Sequence, residues 1–476
     1  MTSDPHLSVP LFVDLDGTLI KTDLLAESAL ALLKQAPWMI FAMCLWLLRG
    51  KAYLKARIAE RVSLESDTLP LQNEFVVYLR AQHASGRAIH LATASDAKLA
   101  QPVADRLDIF QSVLCSDGTQ NLRSEAKLTA ILKITDGSPF DYAGNANADF
   151  PIWAKARQAI VVNPGSGVAR GARQRAEVSQ VFDDRPPLWR IWLKQTRLHQ
   201  WMKNLLIGVP LLTSHAFNTG NLVAVALAFI AFGLVASATY MLNDLLDLAS
   251  DRRHPRKCRR PFAAGNLGIV PGCIGMALLL LGGLLLAASL SLWFLLVLLS
   301  YLALTLSYSL YFKTYVLIDV LLLALLYTVR IIAGAIVINV DISSWLLAFS
   351  MFTFLSLALV KRGAELVTME KLEREGAKGR DYQLSDTQAI SSMGISAGYL
   401  AVLVLALYVD SPAVSGHYSH PRLLWLLCPL MLYWTSRLWI KTSRGEMHDD
   451  PLVFSLHDRG SWIVFVAMAI VTLIAI

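Results

Sequence analysis

Hydrophobic and polar positions are distributed differently in the two halves of the chain. Polar and apolar residues alternate in short runs up to about residue 190, whereas long apolar runs dominate the rest. A helix that spans a bilayer needs about 20 predominantly apolar residues. The later runs predict nine transmembrane helices, near residues 200–217, 220–242, 268–289, 291–311, 315–338, 342–360, 391–409, 422–440 and 461–476.

The first half has the pattern of a soluble α/β domain. Short apolar segments that end in polar residues predict strands of a Rossmann-like sheet over residues 1–165, with a helical cap at 22–85. A polar linker is expected at 166–190, followed by the membrane domain at 191–476. Within the cap, the apolar run 37–48 is too short to span a membrane. It lies on the bilayer, packs against the membrane domain or is buried in the cap.

Composition and charge support this division. The chain is 55% hydrophobic and carries a formal charge of +7, but many Lys and Arg residues lie in junctions between apolar runs, where anionic lipid and insertion polarity explain them. We therefore expect no nucleic-acid site. The five cysteines lack zinc-binding spacing.

The same cations predict an orientation. Counted from the N-terminus, the second, fourth, sixth and eighth junctions between predicted spans are basic, and the other junctions contain almost no Lys or Arg. This asymmetry places the basic junctions and the soluble domain in the cytoplasm. The basic junctions are 252–260, 313, 361–380 and 437–459, and the others lie around Ser214, Ser289, Asp341 and Ser411. The expected location is the inner (cytoplasmic) membrane of the cell.

An aspartate-rich motif ends the second apolar run. The pattern N-D-x-x-D-x-x-x-D contains Asn243, Asp244, Asp247 and Asp251, and a basic run follows it directly. On a helix, positions 243, 247 and 251 share one face. Hard oxygen ligands beside cations suit a Mg²⁺-bound diphosphate. The alternative is a polar cap on an apolar helix.

Further polar groups lie in or beside the apolar runs, where ionisable side chains are costly and usually line a cavity. Arg330 lies midway along one run, and Asp319 begins the same run. Cations available for a diphosphate are Lys313, Arg330, Lys361 and Arg362. Lysines at an interface also serve as anchors, and tyrosines such as Tyr308 often form an aromatic belt.

On these residues, the region 190–476 resembles the UbiA superfamily of intramembrane prenyltransferases. The resemblance rests on the aspartate-rich motif and on R-P-x-A-x-G from Arg260 to Gly265. It implies that Asn243, Asp244, Asp247 and Asp251 hold Mg²⁺ and a diphosphate leaving group. A second D-x-x-x-D motif is usual in that family; here Asp319 is available as a metal ligand, but Leu323 occupies the position four residues later.

Flanking segments are similar to the decaprenyl-phosphate phosphoribosyltransferase branch. They are H-P-R-K, Y-S-L-Y-F-K, Y-T-V-R-I-I-A-G, K-R-G-A-E and D-D-P-L-V-F-S-L-H-D-R. The similarity implies that phosphoribosyl pyrophosphate is the donor and a polyprenyl phosphate is the acceptor. The substrate-binding residues expected from it are Lys257, Arg260, Tyr308, Lys313, Arg330, Lys361 and Arg362.

The N-terminal half has its own motif, L-F-V-D-L-D-G-T-L, in which Asp14 and Asp16 follow an apolar strand. Two carboxylates at a strand end can hold Mg²⁺, and one can act as a nucleophile. The motif resembles the haloacid dehalogenase (HAD) superfamily. That resemblance implies Asp14 as nucleophile and Asp16 as acid/base, both also metal ligands. It further implies that Thr93 and Lys127 hold the phosphoryl oxygens and that Asn145 and Asp149 complete the Mg²⁺ site.

One departure concerns the metal. Asn145 stands where that family usually has an acid, and a neutral amide should bind Mg²⁺ more weakly. The N-terminal domain is therefore either a phosphatase or a structural domain that binds phosphate without turnover.

Two functions follow from the sequence. In the first, phosphoribose is transferred to polyprenyl phosphate and the N-terminal domain removes the 5-phosphate. In the second, a prenyl group moves from prenyl diphosphate to an aromatic or lipid acceptor, and the attached domain is regulatory or structural. The sequence specifies no oligomeric state.

Overall fold

The structure is a computed structural model that describes residues 9–117, 120–371, 381–411, 418–447 and 450–476. It divides into two compact units. The first unit consists of Met1–Thr196 and Met241–Gly275, and the second consists of Arg197–Tyr240 and Met276–Ile476.

A six-stranded parallel sheet forms the centre of the first unit, with strand order β3-β2-β1-β4-β5-β6. Its strands are β1 Leu11–Val13, β2 Ile89–Asp96, β3 Ser112–Ser116, β4 Asp141–Gly144, β5 Gln158–Val162 and β6 Glu177–Phe182. Leu11 pairs with Ile89 on one side and with Asp141 on the other. The central strands are buried on both faces, as their near-continuous apolar sequences predict. The expected Rossmann-like α/β architecture is present.

Helices alternate with these strands along the chain, as in a doubly wound sheet, and the last helix follows β6. They are α1 Leu24–Gln35, α2 Met39–Leu48, α3 Lys51–Ala59, α4 Asn73–Ala84, α5 Ala97–Leu107, α6 Glu125–Thr135, α7 Phe150–Trp153, α8 Val168–Arg173 and α9 Leu188–Thr196. The four helices α1 to α4 lie between β1 and β2 in sequence, where the helical cap is expected. Strand order reverses between β1 and β4, which opens a crevice at their carboxyl ends.

The linker expected at 166–190 is largely ordered secondary structure. It contains α8 and β6, and β6 pairs in parallel with β5. The sequence did not indicate this strand because β6 is at the edge of the sheet and most of its side chains are exposed. An edge strand with polar residues on both faces lacks the apolar alternation that identifies a buried strand.

Seven helices in the described residues are long and apolar enough to cross a membrane. They are α11 Thr219–Leu246, α13 Ile269–Leu290, α14 Leu292–Leu310, α15 Ile318–Val337, α16 Ser344–Lys371, Leu384–Asp410, which includes α17 (Thr387–Asp410), and Pro421–Ser443, which includes α18 (Leu427–Ser443). Two further helices, α19 Pro451–His457 and α20 Arg459–Ala475, make an eighth span if the 84° bend between them lies within one crossing.

The first of the nine predicted spans is not one continuous helix in the described residues. The run near 200–217 instead forms a 3-10 helix, Leu198–Gly208, followed by the short helix α10, Val209–Thr213. Pro210 lies in the first turn of α10, and Lys203 forms a buried ion pair with Asp450. A buried cation and a proline both oppose a continuous membrane-spanning helix.

The helices of the second unit pack closely where glycines allow it. A Cβ atom on Gly334 of α15 would lie 2.0 Å from the carbonyl oxygen of Ile207, so only glycine permits this approach to the 3-10 helix. A Cβ atom on Gly394 of α17 would lie 1.9 Å from the Trp439 ring of α18. These contacts fix the helices that carry the polar side chains described below.

Candidate active sites

The aspartate-rich motif begins on the last turns of α11 and continues into the short helix α12, Leu248–Arg253. Asp247 is the residue that precedes α12, and its side chain makes no capping hydrogen bond. The backbone N–H groups of Asp247 and Asp251 still donate to the carbonyls four residues earlier. The expected helical spacing therefore continues through the break between the helices. The Asn243 side-chain amide donates to the Asp247 carboxylate over 3.1 Å, so these two residues of the predicted face do meet.

Arg260 bridges the other two carboxylates of the motif. Its Nη1 lies 3.0 Å from Asp244 Oδ1 and 2.5 Å from Asp251 Oδ2. Gln195 of α9 donates to the second oxygen of Asp244 over 3.0 Å, and Lys257 Nζ lies 3.9 Å from Asp251. Burial raises the pKa of Asp251, and Arg260 partly opposes that effect. A cation thus lies between two buried carboxylates.

At the carboxyl ends of β1 and β4, the first unit holds a second acidic site. Asp14 follows β1 and accepts a hydrogen bond from Lys127 of α6 over 2.7 Å. The same ammonium group donates to the Tyr142 hydroxyl of β4 over 3.1 Å. Thr93 lies fully buried in β2, the strand beside β1, and its hydroxyl accepts from the backbone N–H of Ser95.

Asp16 and Asn145 complete the acidic site. Asp16 accepts hydrogen bonds from the backbone N–H of Leu24 and the Ser95 hydroxyl, at 2.8 and 2.7 Å. Burial raises the pKa of Asp14 to about 6 and that of Asp16 to about 7. Gly17 has φ +77°, and a Cβ atom there would lie 2.0 Å from the Asn145 side-chain amide. The amide predicted to bind metal therefore contacts the loop that carries Asp14 and Asp16.

Asp149 has a different environment from the one its predicted role suggests. One of its oxygens accepts from the Tyr142 hydroxyl over 2.9 Å, and the other accepts from the backbone N–H groups of Asn145 and Ala146. Both oxygens are therefore used to fix the loop that presents Asn145. This geometry favours a positioning role for Asp149.

Two residues of this site were missed by the sequence analysis. Lys55 of α3 donates to the carbonyl of Ala94 over 2.6 Å and to Asn121 over 3.2 Å. Burial lowers the pKa of Lys55, and the charge of Asp16 opposes that effect. The Thr18 hydroxyl is buried and has no hydrogen-bond partner within the described part of the chain. Nothing in the sequence around Lys55 distinguishes it from the other cap lysines, because only the fold brings it here.

In the second unit, Asp319 and Arg362 form a buried pair. Arg362 Nε lies 2.5 Å from Asp319 Oδ2, and its other nitrogens donate to Glu365 and to the Tyr308 hydroxyl. The remaining oxygen of Asp319 accepts from the Tyr382 hydroxyl over 2.6 Å. Asp319, expected as a metal ligand, therefore has both oxygens bonded to protein groups, and its charge is balanced by an arginine.

A second polar cluster in this unit surrounds Asp450. Lys203 Nζ lies 2.6 Å from the Asp450 carboxylate, the Tyr327 hydroxyl donates to it over 3.1 Å, and Lys361 Nζ lies 3.9 Å away. Of these residues only Lys361 was predicted as a substrate ligand. Asp449, the first acid of the D-D-P segment, and residues 372–380 of the basic junction 361–380 lie outside the described residues.

The remaining candidates in the second unit are placed as follows. Arg330 donates to Asn204 and to the Tyr301 hydroxyl, each over 3.0 Å, and to the Leu326 carbonyl. Its guanidinium also lies 4.8 Å from the centre of the Tyr301 ring. All three nitrogens of Arg330 therefore contact protein, which favours a role in helix packing. Lys313 lies in the 3-10 turn Phe312–Thr314 that follows α14.

Among the described residues, no three His, Cys, Asp or Glu side chains converge as a preformed metal centre. At both acidic sites of the first unit an amide accompanies the carboxylates, Asn243 in one and Asn145 in the other. Carboxylate and amide oxygens are suitable ligands for Mg²⁺. The donor chemistry of both sites therefore fits this ion.

Comparison with known proteins relates the chain to a family. The UbiA prenyltransferase family model matches residues 205–456. The uncharacterized protein y4nM of Sinorhizobium fredii is 34% identical over 459 residues, which cover 96% of this chain and 89% of that protein. The nodulation protein NoeC of Azorhizobium caulinodans is 36% identical over 278 residues, covering 58% of this chain and 89% of that protein.

A third relative is the decaprenyl-phosphate phosphoribosyltransferase of Corynebacterium glutamicum. It is 37% identical over 201 residues, which cover 40% of this chain and 57% of that protein. The match thus spans less than two thirds of that enzyme. The family model, by contrast, covers more than half of this chain, and the described residues contain seven helices able to span a membrane. The chain belongs to the UbiA prenyltransferase family and is a multi-pass membrane protein.

Proposed function

We propose that this protein transfers 5-phosphoribose from phosphoribosyl pyrophosphate to a polyprenyl phosphate. The observation that carries the proposal is the incomplete second acidic motif, in which Leu323 occupies the position four residues after Asp319. A prenyl diphosphate donor would need a second metal-binding pair of acids, and Asp319 alone, fully buried and bonded to Arg362 and Tyr382, does not supply it. The similarity to a decaprenyl-phosphate phosphoribosyltransferase supports the same donor.

In the proposed reaction, an oxygen of the polyprenyl phosphate forms a bond to the anomeric carbon of the ribose while the bond to pyrophosphate breaks. The attacking oxygen is already anionic, so no general base is assigned. Mg²⁺, held by Asn243, Asp244, Asp247 and Asp251, would neutralise charge on the leaving group. Arg260 and Lys257 lie beside these carboxylates and would bind the pyrophosphate oxygens.

We further propose that the N-terminal domain is a HAD-type phosphatase that removes the 5-phosphate of the product. Asp14 would attack phosphorus, forming an aspartyl-phosphate as the ribose oxygen leaves, and water would then hydrolyse this intermediate. Asp16, with a pKa of about 7, would protonate the leaving oxygen. Lys127 lies 2.7 Å from Asp14 and would hold the phosphoryl oxygens. Mg²⁺ held by Asp14 and Asn145 would offset the charge of the Asp14 carboxylate and the phosphoryl group.

Donor choice tests the transferase proposal. Purified protein with Mg²⁺ and a polyprenyl phosphate is given ribose-labelled phosphoribosyl pyrophosphate, and a parallel reaction contains a labelled prenyl diphosphate with an aromatic acceptor. The proposal requires label from the ribose donor in the lipid extract and no such product from Asp247→Asn. Incorporation from the prenyl diphosphate alone would favour ordinary prenyl transfer instead.

We also propose that the N-terminal domain and the basic junction at 252–260 face the cytoplasm across the inner membrane. The distribution of Lys and Arg supports this orientation. It requires the two short helices Leu198–Gly208 and Val209–Thr213 to cross the membrane together ahead of α11. An impermeant thiol reagent should then modify Cys258 in opened membranes and leave it unmodified in intact cells. Modification in intact cells would reverse the assignment.

A further inference from the structure

The cap helix α2 has an apolar surface that no part of its unit covers. Its sequence, M-I-F-A-M-C-L-W-L-L, has no charged residue, and none of its side chains is buried. Phe41 is 74% exposed, Leu45 is 65% exposed and Leu48 is 84% exposed. Large apolar side chains concentrated on one short helix indicate a surface that contacts an apolar partner.

The helix is nevertheless held in a defined orientation. Met39, Met43 and Trp46, spaced at helical intervals, pack against a buried cluster that includes Leu32 of α1 and Ile58 of α3. This face fixes α2 to the cap, and the opposite face carries Phe41, Leu45 and Leu48. The exposed residues are therefore the outer face of a folded helical cap.

Charge around α2 points to an anionic partner. Residues 28–59 contain five Lys or Arg residues and no Asp or Glu. Lys34 precedes the helix, Arg49 and Lys51 follow it, and all three are exposed. An uncharged apolar face flanked by cations is typical of a helix that lies in the interface of an anionic bilayer.

The position of the cap in the first unit supports the same partner. Glu27 of α1 accepts hydrogen bonds from Arg252, which lies in the junction between the membrane helices α11 and α13. A short junction between two membrane helices lies near the membrane surface. The helix that precedes α2 is therefore bonded to a segment at that surface.

We propose that α2 lies in the plane of the bilayer interface, with Phe41, Leu45 and Leu48 among the lipid chains, and that it presents the Asp14 site to phosphates carried on membrane lipids. The next helix, α3, carries Lys55, whose Nζ lies 2.6 Å from the Ala94 carbonyl in the strand that ends at this site. One cap thus carries both the membrane-binding face and a cation of the active site. The part that concerns substrate rests on the phosphatase function proposed above.

Spin labels measure the insertion directly. The five cysteines are replaced by serine, and nitroxides are attached in turn at Phe41→Cys, Leu45→Cys and Leu48→Cys in the full chain, in nanodiscs of phosphatidylcholine with phosphatidylglycerol. Leu281→Cys, exposed on α13, is the lipid reference, and Val77→Cys, exposed on α4 of the same cap, is the water reference.

The proposal predicts that all three α2 labels collide more with oxygen than with a water-soluble nickel complex, as the label at 281 does. Preferential collision with nickel, as expected at 77, would overturn it. Shielding from both reagents would also overturn it, because the helix would then be covered by protein.

Activity separates insertion from catalysis. The double variant Phe41→Glu with Leu45→Glu should hydrolyse a lipid-linked phosphate about tenfold more slowly, while hydrolysis of the water-soluble p-nitrophenyl phosphate is unchanged. Equal loss on both substrates would contradict the role in presenting lipid substrates. If the wild type hydrolyses neither substrate, the phosphatase proposal fails, and the labels still decide whether α2 is inserted.

Discussion

Glu27 and Arg252 are separated by 225 positions in sequence and form a buried, two-point ion pair. The two Glu27 oxygens accept from the two terminal guanidinium nitrogens at 2.5 and 3.2 Å. The side chains are only 5% and 6% exposed, and the Thr22 hydroxyl also donates to Glu27. The pair joins the cap of the α/β domain to the residue that directly follows Asp251.

Removing one partner of this pair should be costly, because the other charge is left buried. We expect Glu27→Ala to lower the free energy of unfolding by about 3–5 kcal/mol. The matched control is Glu65→Ala, which breaks the neighbouring pair with Arg253, where both side chains are more than half exposed, and should cost at most about 1 kcal/mol. The free energies of unfolding of both purified variants are compared with that of the wild type by thermal unfolding. Equal losses would show that the Glu27 pair has no special importance.

Arg330 and Arg260 should respond differently to the same substitution. All three nitrogens of Arg330 contact protein groups, so Arg330→Gln should lower the melting temperature and leave KM for the donor nearly unchanged. Arg260 lies between Asp244 and Asp251, and Arg260→Gln should lower kcat/KM about a hundredfold or more. Steady-state kinetics and melting temperatures are measured for both variants, so that each variant is the control for the other. A large rise in KM for Arg330→Gln would restore it as a substrate ligand.

Stability in metal-free buffer should depend on pH through Asp16. Its pKa in the folded state is about 7, against an ordinary value of 3.8. A raised folded pKa contributes stability that is fully present below the ordinary value and is lost as pH rises through about 7. In EDTA, Asp16→Asn should therefore melt at a higher temperature than wild type near pH 8. This difference should shrink towards about pH 5. A difference that does not change with pH would contradict the assignment.

Asn145 sets the expected metal requirement of the phosphatase site. Its amide lies against the loop that carries Asp14 and Asp16, and an aspartate there would add a third carboxylate. Asn145→Asp should lower the Mg²⁺ concentration for half-maximal hydrolysis by about tenfold. Asp149→Asn is the contrasting change, since Asp149 fixes the loop through Tyr142 and two backbone N–H groups, and it should impair activity at every Mg²⁺ concentration. An unchanged Mg²⁺ requirement in Asn145→Asp would place the metal elsewhere.

The sequence predicted the features that depend on local pattern. Buried parallel strands such as β1 are nearly continuous apolar runs, and D-x-D-G-T follows β1 directly, so the α/β domain and the position of Asp14 were both recognisable. Most membrane helices were predicted for the same reason. Strand β6 was missed because an exposed edge strand has no apolar period.

Other features could not be predicted because they depend on contacts between distant positions. Hydropathy alone did not reveal that Lys203 pairs with Asp450, or that Lys55 reaches Ala94. The first predicted span is not one continuous helix for this reason, since the segment contains a buried ion pair and Pro210 and forms two short helices. Arg330 was recognised as costly in an apolar run, but its hydrogen bonds to Asn204 and Tyr301 required the packed structure.

The central claim is that the two acidic sites act in sequence on one lipid-linked sugar. Membranes containing wild type or Asp14→Asn are supplied with phosphoribosyl pyrophosphate, polyprenyl phosphate and a series of Mg²⁺ concentrations, and the extracted lipids are measured by mass spectrometry. We predict dephosphorylated lipid-linked ribose with wild type. With Asp14→Asn, the 5-phosphorylated lipid should accumulate, because only the nucleophile of the second step is lost. The same ratio of the two lipids in both membranes at every Mg²⁺ concentration would contradict the claim.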